Sequence, residues 1–92
     1  MESSQLNSIY LQKFGENVLK RRSALGLSYR QLAQKCDVDF SAISKIEKGL
    51  KSFEFSTIIE LAKGLEIHPK VLFDFDFPED IVDSSNENNL HR

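Results

Sequence analysis

Two helix-start signals stand close together in the middle of this 92-residue chain, and together they leave little choice of fold. The first is Ser28 with Gln31, bracketed by Leu27 and Leu32. A serine at the N-cap accepts from the Gln31 backbone N–H, the glutamine side chain reaches back to the Ser28 N–H, and the two leucines close over the entry as a hydrophobic staple. The second is Asp39, with Val38 and Ile43 set to close in the same way. These signals predict a short helix over residues 29–36, Asp37 and Val38 as the break, and a second helix over residues 40–48 that stops at Gly49.

The surrounding sequence has the same rhythm of short apolar segments at helical spacing, with no proline before Pro69 and no sustained strand-like alternation. A first helix reaches about Leu25, with Phe14, Val18, Arg22 and Leu25 on one face and Gly26 placed for the left-handed residue after a helix end. Upstream, Leu6, Ile9, Tyr10 and Phe14 keep the spacing and suggest a helical extension. In the short pair, Leu32, Ala33 and Cys36 point inward from one helix, and Ile43 and Ile46 from the other with Leu50 beyond them. Small Ala33 lets a neighbour cross closely. A fourth helix reads from residue 55 or 56 to 65, capped by Glu54 or Ser56 and burying Phe55, Ile58, Ile59, Ala62 and Leu65. Pro69 opens a short fifth helix through Val71, Leu72 and Phe73, with His68 as a substitute cap. The fold class is all-α, a compact five-helix bundle. Residues 1–13 read as a partly helical extension and 14–73 as the domain. Residues 74–92 read as an acidic segment, and residues 83–92 are polar enough to expect disorder.

Size and composition exclude much else. There is room for one modest core and none for a catalytic domain with a regulatory one. No apolar run approaches the roughly 20 residues of a membrane span and no leader is recognisable, so a cytoplasmic protein is expected. Cys36 is the one cysteine, and His68 and His91 lack ligand spacing; no cofactor and no metal are expected. Cys36 reads as a small buried hydrophobe, with redox sensing as the alternative. The net charge of −2 hides an uneven distribution. Residues 1–51 carry nine basic and five acidic side chains, a net of +4, whereas residues 52–92 carry three and nine, a net of −6. Screening confines each region to about a Debye length, roughly 8 Å at physiological salt, so the basic half can attract phosphate despite the total.

Two short helices joined by a tight turn, the second with a polar, basic outward face of Ser41, Ser44, Lys45 and Lys48, form a helix-turn-helix unit. The residues Leu27-Ser28-Tyr29-Arg30-Gln31-Leu32-Ala33 and Val38-Asp39-Phe40-Ser41-Ala42-Ile43-Ser44-Lys45-Ile46-Glu47-Lys48-Gly49 closely resemble the Cro and phage-repressor family of transcriptional regulators. The resemblance covers residues 14–73. It implies a five-helix, lambda-repressor-like domain, a recognition helix over residues 40–48 that enters the major groove, and a two-fold dimer on double-stranded DNA. It also implies an ion pair between Arg22 of the first helix and Glu47 near the end of the third. Two departures stand out. Asp37 occupies a position where glycine is usual, which leads one to expect a left-handed residue under slight strain. Phe40 replaces a more usual polar residue.

On this reading Lys45 addresses guanine O6 and N7, Ser41 and Ser44 address donors or acceptors, and Phe40 or Ala42 packs on a thymine methyl. Ser28, Tyr29, Arg30, Lys48, Lys51 and Ser52 flank the groove and hold phosphate, helped by the amides at the start of the second helix. Tyr29 could instead simply flank the core, and the lysines could be an ordinary solvated face. Val71, Phe73, Phe75, Phe77 and Ile81 exceed what a five-helix core can receive and mark a homodimer seam. Two other classes remain in view: an adaptor or antitoxin-type subunit using the same bundle to bind a polypeptide, and an enzyme, against which the lack of any catalytic constellation speaks. Within the regulators, a repressor of its own promoter and a controller of a restriction-modification cassette both fit a chain without a sensor domain.

Overall fold

The computed structural model describes residues 3–77. The expectations for Ile81 and for residues 83–92 lie outside them, as does that for the side chain of Leu6. Four α-helices, α1 (Ser3–Ala24), α2 (Tyr29–Gln34), α3 (Phe40–Glu47) and α4 (Phe55–Leu65), are followed by a 3₁₀ helix, Pro69–Phe73. There is no strand among the described residues. The upstream segment and the first helix are one element, since α1 runs without a break through residue 13.

Local chemistry sets the ends. Ser28 Oγ accepts from Gln31 N–H at 3.1 Å and Gln31 Oε1 accepts from Ser28 N–H at 2.8 Å, closing the capping box. Asp39 Oδ1 accepts from Ala42 N–H at 2.9 Å. Glu54 caps α4 with its backbone alone. α2 stops at Gln34, short of the expected end, because the Leu32 carbonyl takes the Lys35 N–H and the Cys36 thiol. The expected fifth α-helix is a single 3₁₀ turn. Its bonds run Val71 N–H to His68 O and Asp74 N–H to Val71 O, and His68 Nδ1 accepts from Lys70 N–H at 3.1 Å.

Three helices end on one device. After α1 the N–H groups of Gly26 and Leu27 return to Ser23 and Arg22; after α3 those of Gly49 and Leu50 return to Ile46 and Lys45; after α4 those of Glu66 and Ile67 return to Lys63 and Ala62. Gly26 and Gly49 take the left-handed conformation this requires, with φ of 69° and 71°. At α4 the same position is filled by Glu66, with φ of 60°. The left-handed strain expected at Asp37 is therefore absent there and present at Glu66. The Asp37 N–H is held by Glu60 Oε1 at 2.9 Å, in a turn that has no positive φ.

Phe14 and Val18 of α1, Leu32 of α2, Ile43 and Ile46 of α3, Leu61, Ala62 and Leu65 of α4, and Leu72 form the buried core. Four residues expected inside are not. Leu25 is 46% exposed because α1 ends before it, and Leu50 is 72% exposed because the chain has turned outward at Gly49. Phe55 (75%) and Ile59 (39%) miss the inward stripe of α4, which runs Ile58, Leu61, Ala62, Leu65. Arg22 crosses from α1 to α3: its Nε and Nη2 donate to the two Glu47 carboxylate oxygens at 2.6 and 2.9 Å, and its Nη1 donates to Leu27 O at 2.8 Å. Glu47 is the buried charged residue of the described chain. Asn17 Nδ2 lies 3.2 Å from the carbonyl oxygens of both Leu72 and Asp74, tying the 3₁₀ turn to α1.

Candidate nucleic-acid interface

α3 is fixed at both ends and along one side, which leaves its other side to face outward. Asp39 caps its start, the Gly49 turn closes its end, and Ile43, Ile46 and Glu47 are buried. The opposite side carries Ser41, Lys45 and Lys48, all exposed, with Ser44 half-buried between them. The Ser41 hydroxyl donates to Asp39 Oδ1 at 2.8 Å, so Ser41 turns lone pairs outward. Together with the Ala42 N–H, that bond holds the Asp39 carboxyl below the usual carboxylate range. Of the donor and acceptor roles expected for Ser41, the donor is engaged with Asp39 in this structure.

Ala42 is half-buried. With Val38 and Ile46 it forms one wall of an open cleft of about 400 Å³, and Lys51, Ser52 and Phe53 form the other. Lys51 and Ser52 are exposed on the loop between α3 and α4. Tyr29 packs against the core and lies under the Arg22 guanidinium, 4.2 Å from carbon to ring centre. Arg30 and Phe40, assigned separately to phosphate and to base, meet: the Arg30 guanidinium carbon stands 4.1 Å above the Phe40 ring centre. Ser28 is exposed, its side chain engaged in the capping box.

Two positioning groups have no signal in the sequence. Glu60 of α4 accepts from the Asp37 N–H and pairs with Lys63 at 3.2 Å, which fixes the turn between α2 and α3 and keeps the Glu60 carboxyl below its usual range. Gly15 permits α1 to meet the end of α3, since a Cβ there would overlap the Ile46 and Glu47 carbonyls. Cys36 is half-buried with its thiol on Leu32 O, and burial pushes its pKa up.

Three of the residues expected at a seam, Phe73, Phe75 and Phe77, find aromatic partners within the chain. Phe75 and Phe77 stack with centres 4.8 Å apart, Tyr10 lies 4.8 Å from Phe77 and 6.4 Å from Phe75, and Phe73 lies 5.3 Å from Phe14. The long α1 thus supplies a receiving surface that a five-helix core lacks. Phe73 and Phe77 nevertheless remain 42% and 41% exposed, and Val71 is half-buried. Among the described residues no metal-binding cluster of His, Cys, Asp or Glu occurs, and no helix is long and apolar enough to cross a membrane.

The sequence profile of the helix-turn-helix family matches residues 18–72, from the middle of α1 to the 3₁₀ turn. The chain belongs to the helix-turn-helix family. Within it, the chain is 36% identical over 63 residues to the control protein C.BamHI of Bacillus amyloliquefaciens, a match covering 67% of this chain and 78% of that one. The fold superposes on the restriction-modification controller protein C.AhdI of Aeromonas hydrophila with a TM-score of 0.66 at 36% identity, over 68% of this chain and 96% of the other. It also superposes on C.Esp1396I, a controller protein solved as a tetramer with its natural 35 base-pair operator, with a TM-score of 0.65 at 29% identity, over 71% and 86%.

Proposed function

We propose that this helix-turn-helix protein is a sequence-specific transcriptional regulator that binds double-stranded DNA as a homodimer and acts as the controller of a restriction-modification system. The observation that carries the reading is the outward face of α3. Ser41, Ser44, Lys45 and Lys48 present hydrogen-bonding and cationic groups on a helix whose remaining side is locked by Ile43, Ile46 and the Arg22–Glu47 pair. Such a helix fits a major groove about 12 Å wide.

The division of labour follows the geometry. Lys45 and Ser44 address base edges from the first turns of α3, with Ser41 as an acceptor for cytosine or adenine amino groups. Lys48, Lys51 and Ser52, with Ser28 and Tyr29 at the start of α2, lie along the sides where phosphates pass. The kinship to C.BamHI, C.AhdI and C.Esp1396I supports the controller role, and a regulator of this kind works in the cytoplasm. Gel-shift titration against a selected duplex at several salt concentrations tests the reading. Specific binding that falls steeply with salt supports it, and little binding at any salt would point to a protein-binding adaptor.

A further inference from the structure

Arg30 and Phe40 are the second residue of α2 and the first of α3, and they come together at the leading edge of the proposed recognition surface. Both are exposed, Phe40 at 41%. Among the described residues Arg30 makes no ion pair, and its guanidinium packs on the ring face of Phe40. A guanidinium held on an aromatic face has lost much of its freedom while its N–H donors stay available. The phenyl can make no hydrogen bond. What it can offer a base edge is apolar contact, and the apolar group in the major groove is the C5 methyl of a pyrimidine.

The separation suits a pair of readers. The Arg30 guanidinium carbon stands 4.1 Å from the Phe40 ring centre, a separation comparable to the roughly 3.4 Å between successive bases along one strand, which would let the two groups address neighbouring base pairs. We propose that Arg30 and Phe40 form one composite reader for a methyl-bearing pyrimidine next to a guanine, Phe40 packing on the methyl and Arg30 donating to guanine O6 and N7. Arg30 is then a specificity residue and no longer a phosphate contact. The methyl can belong to thymine or to 5-methylcytosine, since both place it at the same ring position. The inference rests on α3 being a DNA reader.

The test begins by selecting bound duplexes from a random library with the full chain. The expected product contains, in each half-site, an adjacent thymine and guanine. In duplexes built on that site, replacing thymine by deoxyuridine should weaken binding about fourfold per half-site, the worth of one buried methyl. At the same position a 5-methylcytosine pair should outbind an unmethylated cytosine pair by a similar factor if the methyl is what is read. Arg30→Gln should erase the preference for guanine, about tenfold, and leave the other positions enriched. Phe40→Ser should relax both members of the step together, because it removes the apolar contact for the methyl and the platform under the guanidinium. Both side chains are exposed, so circular dichroism should show an unchanged fold. Equal binding of thymine and deoxyuridine duplexes overturns the proposal, as does an Arg30→Gln variant that binds every sequence uniformly less well with its guanine preference intact. Either result leaves the DNA-reading role of α3 standing. Failure to enrich any sequence would overturn both.

Discussion

Gly15 of α1 lies against the backbone carbonyl oxygens of Ile46 and Glu47, where α1 crosses the last turn of α3. The obstacle is backbone, which cannot rotate away. Gly15→Ala gains about 1 kcal/mol of helix propensity and meets an overpacking cost of about 1–3 kcal/mol or more. The cost should win. A urea midpoint lowered by the substitution, with DNA affinity falling in parallel as α3 is displaced, is the expected result; a midpoint at or above wild type would mean that the helices do not meet this closely.

The same crossing is fastened by Arg22 and Glu47, whose side chains are 13% and 2% exposed. The Glu47 hydrogen bonds hold the Arg22 pKa above its ordinary value, so the guanidinium stays charged at every pH of interest. Removing the carboxylate leaves that charge with the Leu27 carbonyl and the face of the Tyr29 ring, and no counter-charge. Glu47→Ala should cost about 3 kcal/mol. Denaturant unfolding of the variant measures this, and an unchanged midpoint would show the pair to be superficial.

Glu66 holds a left-handed conformation that costs a residue with a Cβ roughly 1–2 kcal/mol. It also makes a pair with Lys35 at 2.7 Å, which is exposed and screened by solvent and salt. Glu66→Gly should therefore raise the melting temperature, whereas Glu66→Ala, which keeps the strain and loses the pair, should lower it. A thermal melt of the two variants side by side distinguishes strain relief from loss of charge.

What the sequence carried and what it hid divide along chain distance. Ser28 with Gln31, Asp39, Gly26 and Gly49 are local devices, and each forms the cap or turn its spacing predicts. Apart from the Arg22–Glu47 pair, which the family resemblance implies, contacts far apart in sequence leave no such trace. Glu60 reaching the Asp37 N–H, Asn17 bridging to Leu72 and Asp74, and Tyr10 meeting Phe75 and Phe77 depend on how the helices are stacked. Phe55 and Ile59 face outward against expectation for a related reason: an apolar residue near a helical stripe is turned outward when the stripe is set by its neighbours Ile58 and Leu61. At the interface, the outward position of Lys45 follows from helix period alone. The stacking of Arg30 on Phe40 needed the turn between α2 and α3 in three dimensions.

A homodimer remains the expected working unit. The aromatic segment is only partly satisfied by α1, leaving Phe73 and Phe77 about two-fifths exposed, and α4 adds exposed Phe55 and Ile59. Light scattering at high micromolar concentration should report twice the chain mass, and Phe77→Glu should return the monomer mass without loss of helix content. A wild-type monomer at that concentration would remove the seam over Val71, Phe73, Phe75 and Phe77. The paired recognition helices of such a dimer would stand about 34 Å apart.

The sharpest separation of roles lies between Lys45 and Lys51. Lys45 sits exposed on the outward stripe of α3, one turn from Ser41 and beside Ser44, and on the proposed reading its ammonium would enter the groove. Lys51 follows the Gly49 turn and lies on the loop that lines the cleft beside α3, and on the proposed reading it would meet only the phosphate backbone. Lys45→Ala should weaken the selected site by about 1–3 kcal/mol and relax selectivity at one base pair per half-site. Lys51→Ala should weaken all sequences alike and reduce the slope of log affinity against log salt by about one per subunit engaged. Titrations of both variants against matched and mismatched duplexes at several salt concentrations measure the two effects independently. Selectivity lost with Lys51 and kept with Lys45 would mean that the loop, and not α3, reads the bases.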